Sequence, residues 1–360
     1  MIYKQVCLTA YLKFTVKMKV LVTGGSGYFG SLLIKKLLEK GYQVGSLDIN
    51  PAENISKEVT FHKVDIRNYD LLKNSLSGYD IIYHNVAQVP LAKSKKLFKE
   101  VNIYGVENIC KASIFNKVKK IVYTSSSAIY GVPKQNPVNE DTIPIPGESY
   151  GEAKLVGEEI VKKYSKNGLG ISIIRPRTIL GHGRLGIFSI LFKWISEGVN
   201  IPVLNNGENI YQFVHAEDLA DACILASMRD HQFSAFNIGA SDQGTMRNTL
   251  ENLCQYAGSG SSVYSLPLKP VEIIMNLTSK LNLIPLGPYH SLMYGRSLYF
   301  DISKAKKELG FSPKFSTSRM FQESYDWFLE NRHLINSQNN NSVHKKPVNE
   351  ALLKLLRWIS

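Results

Sequence analysis

A tyrosine and a lysine four positions apart are the first residues of this chain whose spacing suggests chemistry. Tyr150 and Lys154 fall at the start of a stretch with helical periodicity, so their side chains share one helix face. An ammonium group beside a phenol favours the phenolate and lowers the pKa of the phenol, which can then accept a proton from an alcohol. The pair predicts acid–base catalysis at a carbon that gives or receives hydride.

A cluster of hydroxyl side chains supports this prediction. Thr124, Ser125, Ser126 and Ser127 end an apolar segment, and Ser126 lies 24 residues before Tyr150. Ligands of parallel sheets bind at the carboxyl ends of the strands, where a serine can hydrogen-bond the reacting oxygen and hold it near the tyrosine. Ser126, Tyr150 and Lys154 are therefore the predicted catalytic set.

A glycine-rich turn with the sequence TGGSGYFG, residues 23–30, lies between a predicted strand and a predicted helix. Glycine allows a positive φ and lets a pyrophosphate approach the backbone, while the helix N-terminus offers free N–H groups. Asp48 ends the next strand, where its carboxylate can accept hydrogen bonds from both ribose hydroxyls and repel a 2′-phosphate. Because no arginine follows in Asp48–Lys57, the sequence predicts NAD rather than NADP.

These residues are positioned by alternating strands and helices, which is typical of a parallel sheet covered on both faces. The predicted fold class is α/β, a Rossmann-type doubly wound parallel sheet with a smaller, discontinuous C-terminal substrate lobe. The predicted strands are Lys19–Thr23, Gln43–Asp48, Thr60–Val64, Asp80–His84, Lys120–Ser125 and Ile171–Arg175. The predicted helices are Ser31–Lys40, Tyr69–Leu76, Leu97–Phe115 and Gly151–Lys166.

The alternation loosens after about residue 176, where segments rich in proline, glycine and asparagine begin. We therefore expect a division into several regions along the chain. These are an N-terminal extension at 1–17, an NAD-binding domain at 18–176 to which 208–238 returns, a substrate lobe at 177–207 and 239–330, and a basic, partly disordered tail at 331–360.

The net charge of +13 over 360 residues is concentrated at the two ends of the chain. Residues 1–19 contribute +4 and residues 331–360 another +4, so the body has little excess charge. Without a basic groove and interleaved aromatic residues, nucleic acid is not an expected partner. The leucine-rich segment Glu350–Ile359 predicts a short tail helix. This helix either makes weak contact with a membrane surface or is a frayed end of the chain.

The four cysteines are scattered and form no Cys/His cluster with metal-ligand spacing, so no metal is predicted. Free thiols and the absence of an apolar run of about 20 residues favour a cytoplasmic enzyme. His84, His182 and His215 are interpreted as core or hydrogen-bonding residues. Glu217 and Asp218 are interpreted as caps of a helix over Leu219–Ala226.

In combination, these motifs resemble the extended short-chain dehydrogenase/reductases, specifically the NAD-dependent epimerase/dehydratase family, over about residues 18–330. The resemblance implies a homodimer formed through the Leu97–Phe115 and Gly151–Lys166 helices. It also implies that the cofactor is contacted by Gly24, Gly27, Tyr28, Phe29, Gly30, Asp48, Asp65, Ile66, Ala87, Asn102, Thr124, Tyr150, Lys154 and Pro176.

Two departures from the family pattern bear on the substrate. The sugar-nucleotide members usually carry an asparagine where this chain has Thr178, and an arginine that reaches the diphosphate where it has Tyr211. The loss of a charge-assisted contact to phosphate weakens the nucleotide-sugar interpretation, although Arg177, Arg184 or Arg247 could replace the arginine. The predicted substrate-binding residues are Ser126, Thr178, Tyr211 and Arg247.

Three functions remain open on sequence alone. The first is an epimerase or dehydrogenase of a nucleotide-linked sugar, and the second is a dehydrogenase of a bulky apolar alcohol, similar to a steroid, with Val271–Pro288 lining its cleft. The third is a non-catalytic dinucleotide sensor, which the intact catalytic set disfavours. Dehydratase activity is disfavoured because Ser127 and Ala128 replace the Asp-Glu pair of dehydratases.

Overall fold

The computed structural model describes residues 18–52, 54–88, 95–184, 186–273, 293 and 295–335. Several predictions fall outside these residues: the extension at 1–17, most of the tail with its Glu350–Ile359 helix, and residues 274–288 of the apolar segment.

Seven parallel strands form the central sheet. Their bounds are Lys19–Thr23 (β1), Gln43–Asp48 (β2), Thr60–Lys63 (β3), Ile81–His84 (β4), Lys120–Thr124 (β5), Gly170–Pro176 (β6) and Phe233–Ile238 (β10). The strand order is β3-β2-β1-β4-β5-β6-β10, in which the first six follow the order of a dinucleotide-binding fold. The predicted Rossmann-type sheet is thus confirmed.

The helices lie between the strands, and their ends differ from the predicted ends by a few residues. Their bounds are Tyr28–Glu39 (α1), Tyr69–Ser75 (α2), Lys95–Lys99 (α3), Val106–Phe115 (α4), Ser149–Ser165 (α5), Ile187–Ser196 (α6), Ala216–Ser227 (α7), Met246–Ala257 (α8), Thr317–Glu330 (α9) and Arg332–Ile335 (α10). The predicted helix Leu97–Phe115 is interrupted by a π-helical turn, Glu100–Gly105.

The sheet is buried on both faces, as the apolar strand sequences require. Val20 and Val22 of β1 pack with the α1 residues Leu33 and Leu37 in one cluster, whereas Leu21 between them belongs to the cluster on the other face. This double coverage leaves the carboxyl ends of the strands as the edge at which polar side chains can gather.

Two short parallel pairs extend the fold beyond the central sheet. Thr178–Leu180 (β7) pairs with Phe213–His215 (β9), and Ile201–Leu204 (β8) pairs with Val263–Leu266 (β11). Arg177 is the one residue between β6 and β7, so the chain passes there from the central sheet into this second layer. Residues 233–238 pair with β6, while the division into domains remains a prediction.

The cap predicted for the helix after β9 was wrong in its residues. Helix α7 begins at Ala216, and its cap is His215, whose Nδ1 accepts a hydrogen bond from the Glu217 amide at 3.2 Å. Asp218 instead accepts hydrogen bonds from the amides of Lys314 and Phe315. The carboxylate therefore fixes a distant loop, which a local capping rule does not anticipate.

Candidate active site

The three serines after β5 point to three different partners. Ser125 Oγ donates to Glu158 Oε1 at 2.5 Å, and Ser127 Oγ accepts from Arg177 Nη1 at 2.7 Å. Ser126 is partly exposed, accepts the Ala128 amide at 3.1 Å and is hydrogen-bonded with Tyr150. Of the three hydroxyls, Ser126 is therefore the one beside Tyr150.

The first turn of α5 presents Tyr150 to this serine. Glu148 caps the helix, and its carboxylate accepts hydrogen bonds from the backbone amides of Tyr150 and Gly151, each at 2.7 Å. A Cβ on Gly151 would overlap the Ala128 carbonyl oxygen, so glycine allows α5 to approach the turn that follows Ser126. Sequence reasoning did not identify Glu148, although an acidic residue just before a helix is a recognisable capping signal.

Lys154 lies one turn further along α5 and is only 3% exposed. Its Nζ donates to the Thr124 carbonyl oxygen at 2.7 Å and lies 6.0 Å from the centre of the Tyr150 ring. The structure therefore brings Ser126, Tyr150 and Lys154 together, with the ammonium group anchored to the end of β5.

Burial dominates the proton affinities of this set. Burial raises the pKa of Tyr150 to about 12, although the hydrogen bond with Ser126 and the charge of Arg184 both lower it. Burial lowers the pKa of Lys154 to about 8, although the negative charge of Glu158 raises it. The low pKa expected for Tyr150 beside Lys154 is not observed, because desolvation outweighs the attraction of nearby cations.

The glycine-rich turn fits the pyrophosphate of a dinucleotide. Gly24 has φ +70°, and a Cβ on Gly30 would overlap the Gly24 carbonyl oxygen, so only glycine permits the close packing of turn and helix. Gly27, the N-cap of α1, provides no side-chain cap, and no acidic residue occupies the first turn. The amides at Tyr28 and Phe29 thus have room and charge for phosphate oxygens.

Two aspartates lie where a cofactor's ribose and adenine are expected. Asp48 ends β2, and its carboxylate accepts hydrogen bonds from the amides of Ser26 at 3.1 Å and Ile49 at 2.8 Å. The contact with Ser26 joins Asp48 to the glycine-rich turn. Asp65 binds Arg67, with a shortest distance of 2.6 Å, and Arg67 also contacts Glu100. Their contacts with NAD, and that of Ile66 beside Asp65, stay predictions.

The loop after β4 is fixed by side chains from neighbouring elements. Asn102 accepts the Gln88 amide at 2.8 Å and donates to the Gln88 carbonyl at 2.9 Å, holding the loop that contains Ala87. Thr124 Oγ1 donates to Asn85 Oδ1 at 2.6 Å. The contacts of Asn102, Ala87 and Thr124 with NAD stay predictions. Asn85 was missed by sequence reasoning, although it is a polar residue directly after a buried strand.

On the substrate side, the two departures from the family pattern meet each other. Thr178 Oγ1 and Tyr211 Oη lie 2.8 Å apart, and the guanidinium carbon of Arg177 lies 4.5 Å from the centre of the Tyr211 ring. Pro176, which ends β6, lies just before Arg177 and is buried. Thr178, Tyr211 and Arg177 therefore form one contiguous group.

Arg247 is placed differently from the other candidate arginines. Its Nε donates to the Asn206 carbonyl at 2.6 Å, its Nη2 to Ser265 Oγ at 2.7 Å, and its Nη1 to Glu251 at 3.0 Å. The guanidinium is thus engaged on α8 and its neighbours, and its predicted contact with substrate remains a prediction.

A second buried arginine, Arg175, was not identified from the sequence. Its Nε and Nη2 donate to Glu158 at 3.0 and 2.7 Å, and its Nη1 donates to Tyr130 Oη at 2.7 Å. Glu158 lies four residues after Lys154, so the helix face that carries Tyr150 and Lys154 continues to it. The four-residue spacing from Lys154 to Glu158 was the signal from which a buried partner of Arg175 could have been predicted.

Some features are absent from the part of the chain that the structure describes. No helix in it is long and apolar enough to cross a membrane. No three His, Cys, Asp or Glu residues in it are grouped as metal ligands. Within it, Cys110, Cys223 and Cys254 are buried free thiols.

Comparisons with known proteins match this geometry. The model of the NAD dependent epimerase/dehydratase family matches residues 20–239. An uncharacterised protein of Sinorhizobium fredii is 50% identical over 94% of this chain and 85% of its own length. A UDP-glucose 4-epimerase of Halalkalibacterium halodurans is 29% identical, with 89% of this chain and 99% of that protein covered. The crystal structure of UDP-glucuronic acid 4-epimerase from Bacillus cereus in complex with NAD is 25% identical, with a TM-score of 0.70 over 87% of this chain and 99% of the other.

Proposed function

Because the chain belongs to the NAD dependent epimerase/dehydratase family, we propose that it is an epimerase or dehydrogenase acting on a secondary alcohol carbon of a nucleotide-linked sugar. The chain is an NAD-dependent enzyme of the extended short-chain dehydrogenase/reductase type, as its motifs predicted. The substrate and the hydride transfer are the proposed part.

The observation that carries the proposal is the convergence of Ser126, Tyr150 and Lys154 at the end of β5, in the same fold as the glycine-rich turn. Ser126 hydrogen-bonds the reacting oxygen, and Tyr150 transfers the proton to or from it. Lys154 holds a positive charge near the phenol and fixes the end of β5. NAD, when bound, supplies the hydride acceptor and an added positive charge beside this set.

With a pKa of about 12, the phenol of Tyr150 is protonated near neutral pH and ready to give its proton to a developing alkoxide. In the opposite direction it must first lose that proton, which the nearby cations favour. The reversible use of one proton suits both an oxidation and the reduction that follows it in an epimerase.

The substrate class is supported by similarity. Relatives named as UDP-glucose and UDP-glucuronic acid 4-epimerases suggest a nucleotide-linked sugar. A dehydratase remains disfavoured because Ser127 is bound to Arg177 and Ala128 has no ionisable group. A bulky apolar alcohol is the alternative, but residues 274–288, its proposed wall, lie outside the described residues.

Replacing Tyr150 by phenylalanine tests the proposal. We expect Tyr150→Phe to lower the epimerisation of UDP-glucose by about 100-fold or more, because a positioned acid–base group contributes about that much, and to leave the dissociation constant of NAD nearly unchanged. Tyr104→Phe, on an exposed tyrosine, is the matched control. Turnover that survives in Tyr150→Phe would rule out the assigned proton transfer.

Further proposals about the whole protein come from the family resemblance and from the sequence of the tail. We propose a homodimer through α4 and α5, to be tested by sedimentation at low concentration. The cytoplasmic location and weak membrane-surface contact of the tail also remain proposals.

A further inference from the structure

Arg177 is a buried cation with no acidic partner among the residues that the structure describes. Its side chain is 1% exposed, and no ion pair to it occurs among the residues that the structure describes. Nη1 donates to Ser127 Oγ at 2.7 Å, whereas Nε and Nη2 are buried and have no hydrogen-bond partner in the same part of the chain. Two strong donors of a charged group are therefore left unsatisfied.

Such an arrangement is unfavourable for a protein alone. Removing a charge from water carries a penalty of several kcal/mol that a counter-charge and hydrogen bonds normally offset. A buried guanidinium that lacks a counter-charge among the described residues is therefore a candidate to attract an anion from outside the chain. The counter-charge is thus expected to come from a ligand.

The surroundings of Arg177 indicate where that anion binds. The guanidinium carbon lies 4.5 Å from the centre of the Tyr211 ring and 5.7 Å from that of Phe300, so two aromatic side chains are close to it. Tyr211 Oη and Thr178 Oγ1 share one hydrogen bond at 2.8 Å, and both residues are partly exposed. Since one shared bond uses one proton, the other hydroxyl proton remains available to an acceptor.

We propose that Thr178 and Tyr211, with Arg177 behind the Tyr211 ring, form the phosphate-recognising part of the substrate site. The positive charge that the family places at the position of Tyr211 is carried here by the adjacent Arg177. The hydroxyl pair hydrogen-bonds a phosphate oxygen, and Arg177 attracts it through a medium of low dielectric constant. This inference rests on the proposed function, because it assigns the diphosphate of a nucleotide-linked sugar to this group.

The other two arginines suggested by the sequence have different surroundings. Arg247 is engaged by three acceptors on and near α8. Arg184 donates to the Ile179 carbonyl at 3.3 Å, and its charge acts on Tyr28 and Tyr150. Its Nη1 is also buried without a hydrogen-bond partner in the described residues, but no contact of Arg184 with Tyr211 or Thr178 is found there. Among the three, Arg177 is the one in contact with Tyr211.

Calorimetry on the full chain with NAD tests the inference, with UDP and inorganic diphosphate as probes. We expect Arg177→Met to weaken UDP binding about 10- to 100-fold, the usual range for losing one interaction with a charged group. The variant should also show a smaller loss of UDP affinity when salt is added. Arg332→Met, at an exposed arginine, is the matched control and should bind UDP like the unaltered chain.

A double variant separates charge from packing. Arg177→Phe combined with Tyr211→Arg moves the charge back to the family position and keeps one aromatic ring and one guanidinium. Recovery of most of the lost UDP affinity supports the inference, and so does the retention of affinity for uridine in Arg177→Met. Equal UDP affinity in Arg177→Met and the unaltered chain overturns it.

The proposed function fails in a distinguishable way. If the unaltered chain binds inorganic diphosphate but not UDP, and Arg177→Met loses that binding, the anion site stands and the nucleotide substrate is rejected. If the unaltered chain binds neither probe, both the anion site and the nucleotide substrate are rejected.

Discussion

Arg175 and Arg177 lie two residues apart at the end of β6, and both are buried, at 7% and 1% exposed. Arg175 makes a double contact with Glu158, while Arg177 meets a serine hydroxyl and two aromatic rings. The same side chain therefore serves two purposes. The paired arginine holds elements together, and the unpaired one is a candidate for binding an anion.

The Arg175 network joins the elements that carry the catalytic set. Glu158 on α5 accepts hydrogen bonds from both Arg175 and Ser125. Tyr130, which accepts a hydrogen bond from Arg175, in turn donates to Asn237 Oδ1 on β10 at 3.1 Å. Because every charge and most donors in it are satisfied, such a network specifies the relative positions of its members. Arg177 fixes comparatively little in this way.

The largest expected effect is on the paired arginine. Arg175→Met leaves the Glu158 carboxylate buried and unpaired, so the free energy of unfolding should fall by about 3–5 kcal/mol. Urea unfolding measures the change. The double variant Arg175→Met with Glu158→Leu should regain most of the loss, and a single variant as stable as the unaltered chain would contradict the role of this pair.

Lys154 is intermediate between the paired Arg175 and the unpaired Arg177. It is 3% exposed, and the charge of Glu158 raises its pKa although the two side chains form no ion pair in the described residues. Its pKa is lowered from 10.5 to about 8, so between these pH values the unfolded chain binds more protons and stability rises with pH. Below pH 8 the penalty for the buried charge is fully present, at about 3 kcal/mol. Lys154→Met should lose this rise, as unfolding measured from pH 7 to 10.5 would reveal. An unchanged pH dependence in Lys154→Met would show that its charge is not the cause.

The unpaired arginine is expected to respond with the opposite sign to the paired one. Arg177→Met removes a buried charge that has no counter-charge in the described part of the chain, and it loses stacking on Tyr211 worth about 1–2 kcal/mol. We expect the free energy of unfolding to stay within about 1 kcal/mol of the unaltered value or to rise. A decrease as large as that of Arg175→Met would show that Arg177 supports the fold, and would end the contrast between the two.

The smallest effect is expected at Arg247, which pairs with Glu251 near the surface. A partly exposed ion pair of this kind contributes about 0–1 kcal/mol. Arg247→Met should therefore change the free energy of unfolding by less than 1 kcal/mol and UDP affinity by less than Arg177→Met does. A larger loss of UDP affinity in Arg247→Met would move the phosphate site to α8.

Much of the fold and part of the site followed from local patterns. The six predicted strands lie within a residue or two of the observed ones, because continuous apolar runs bounded by turns are a strong signal. Ser126, Tyr150 and Lys154 were found together because a strand end and one helix face bring them there. The cap of α7 was mistaken, since Asp218 binds a loop almost a hundred residues away.

The sequence by itself determined the parallel sheet, the glycine-rich turn and the convergence of Ser126, Tyr150 and Lys154, since each depends on short-range spacing and backbone sterics. Only the tertiary structure decided which arginine is neutralised and how strongly burial shifts the pKa of Tyr150. These properties depend on distances between distant segments and on access to water, and neighbouring residues in a sequence encode neither.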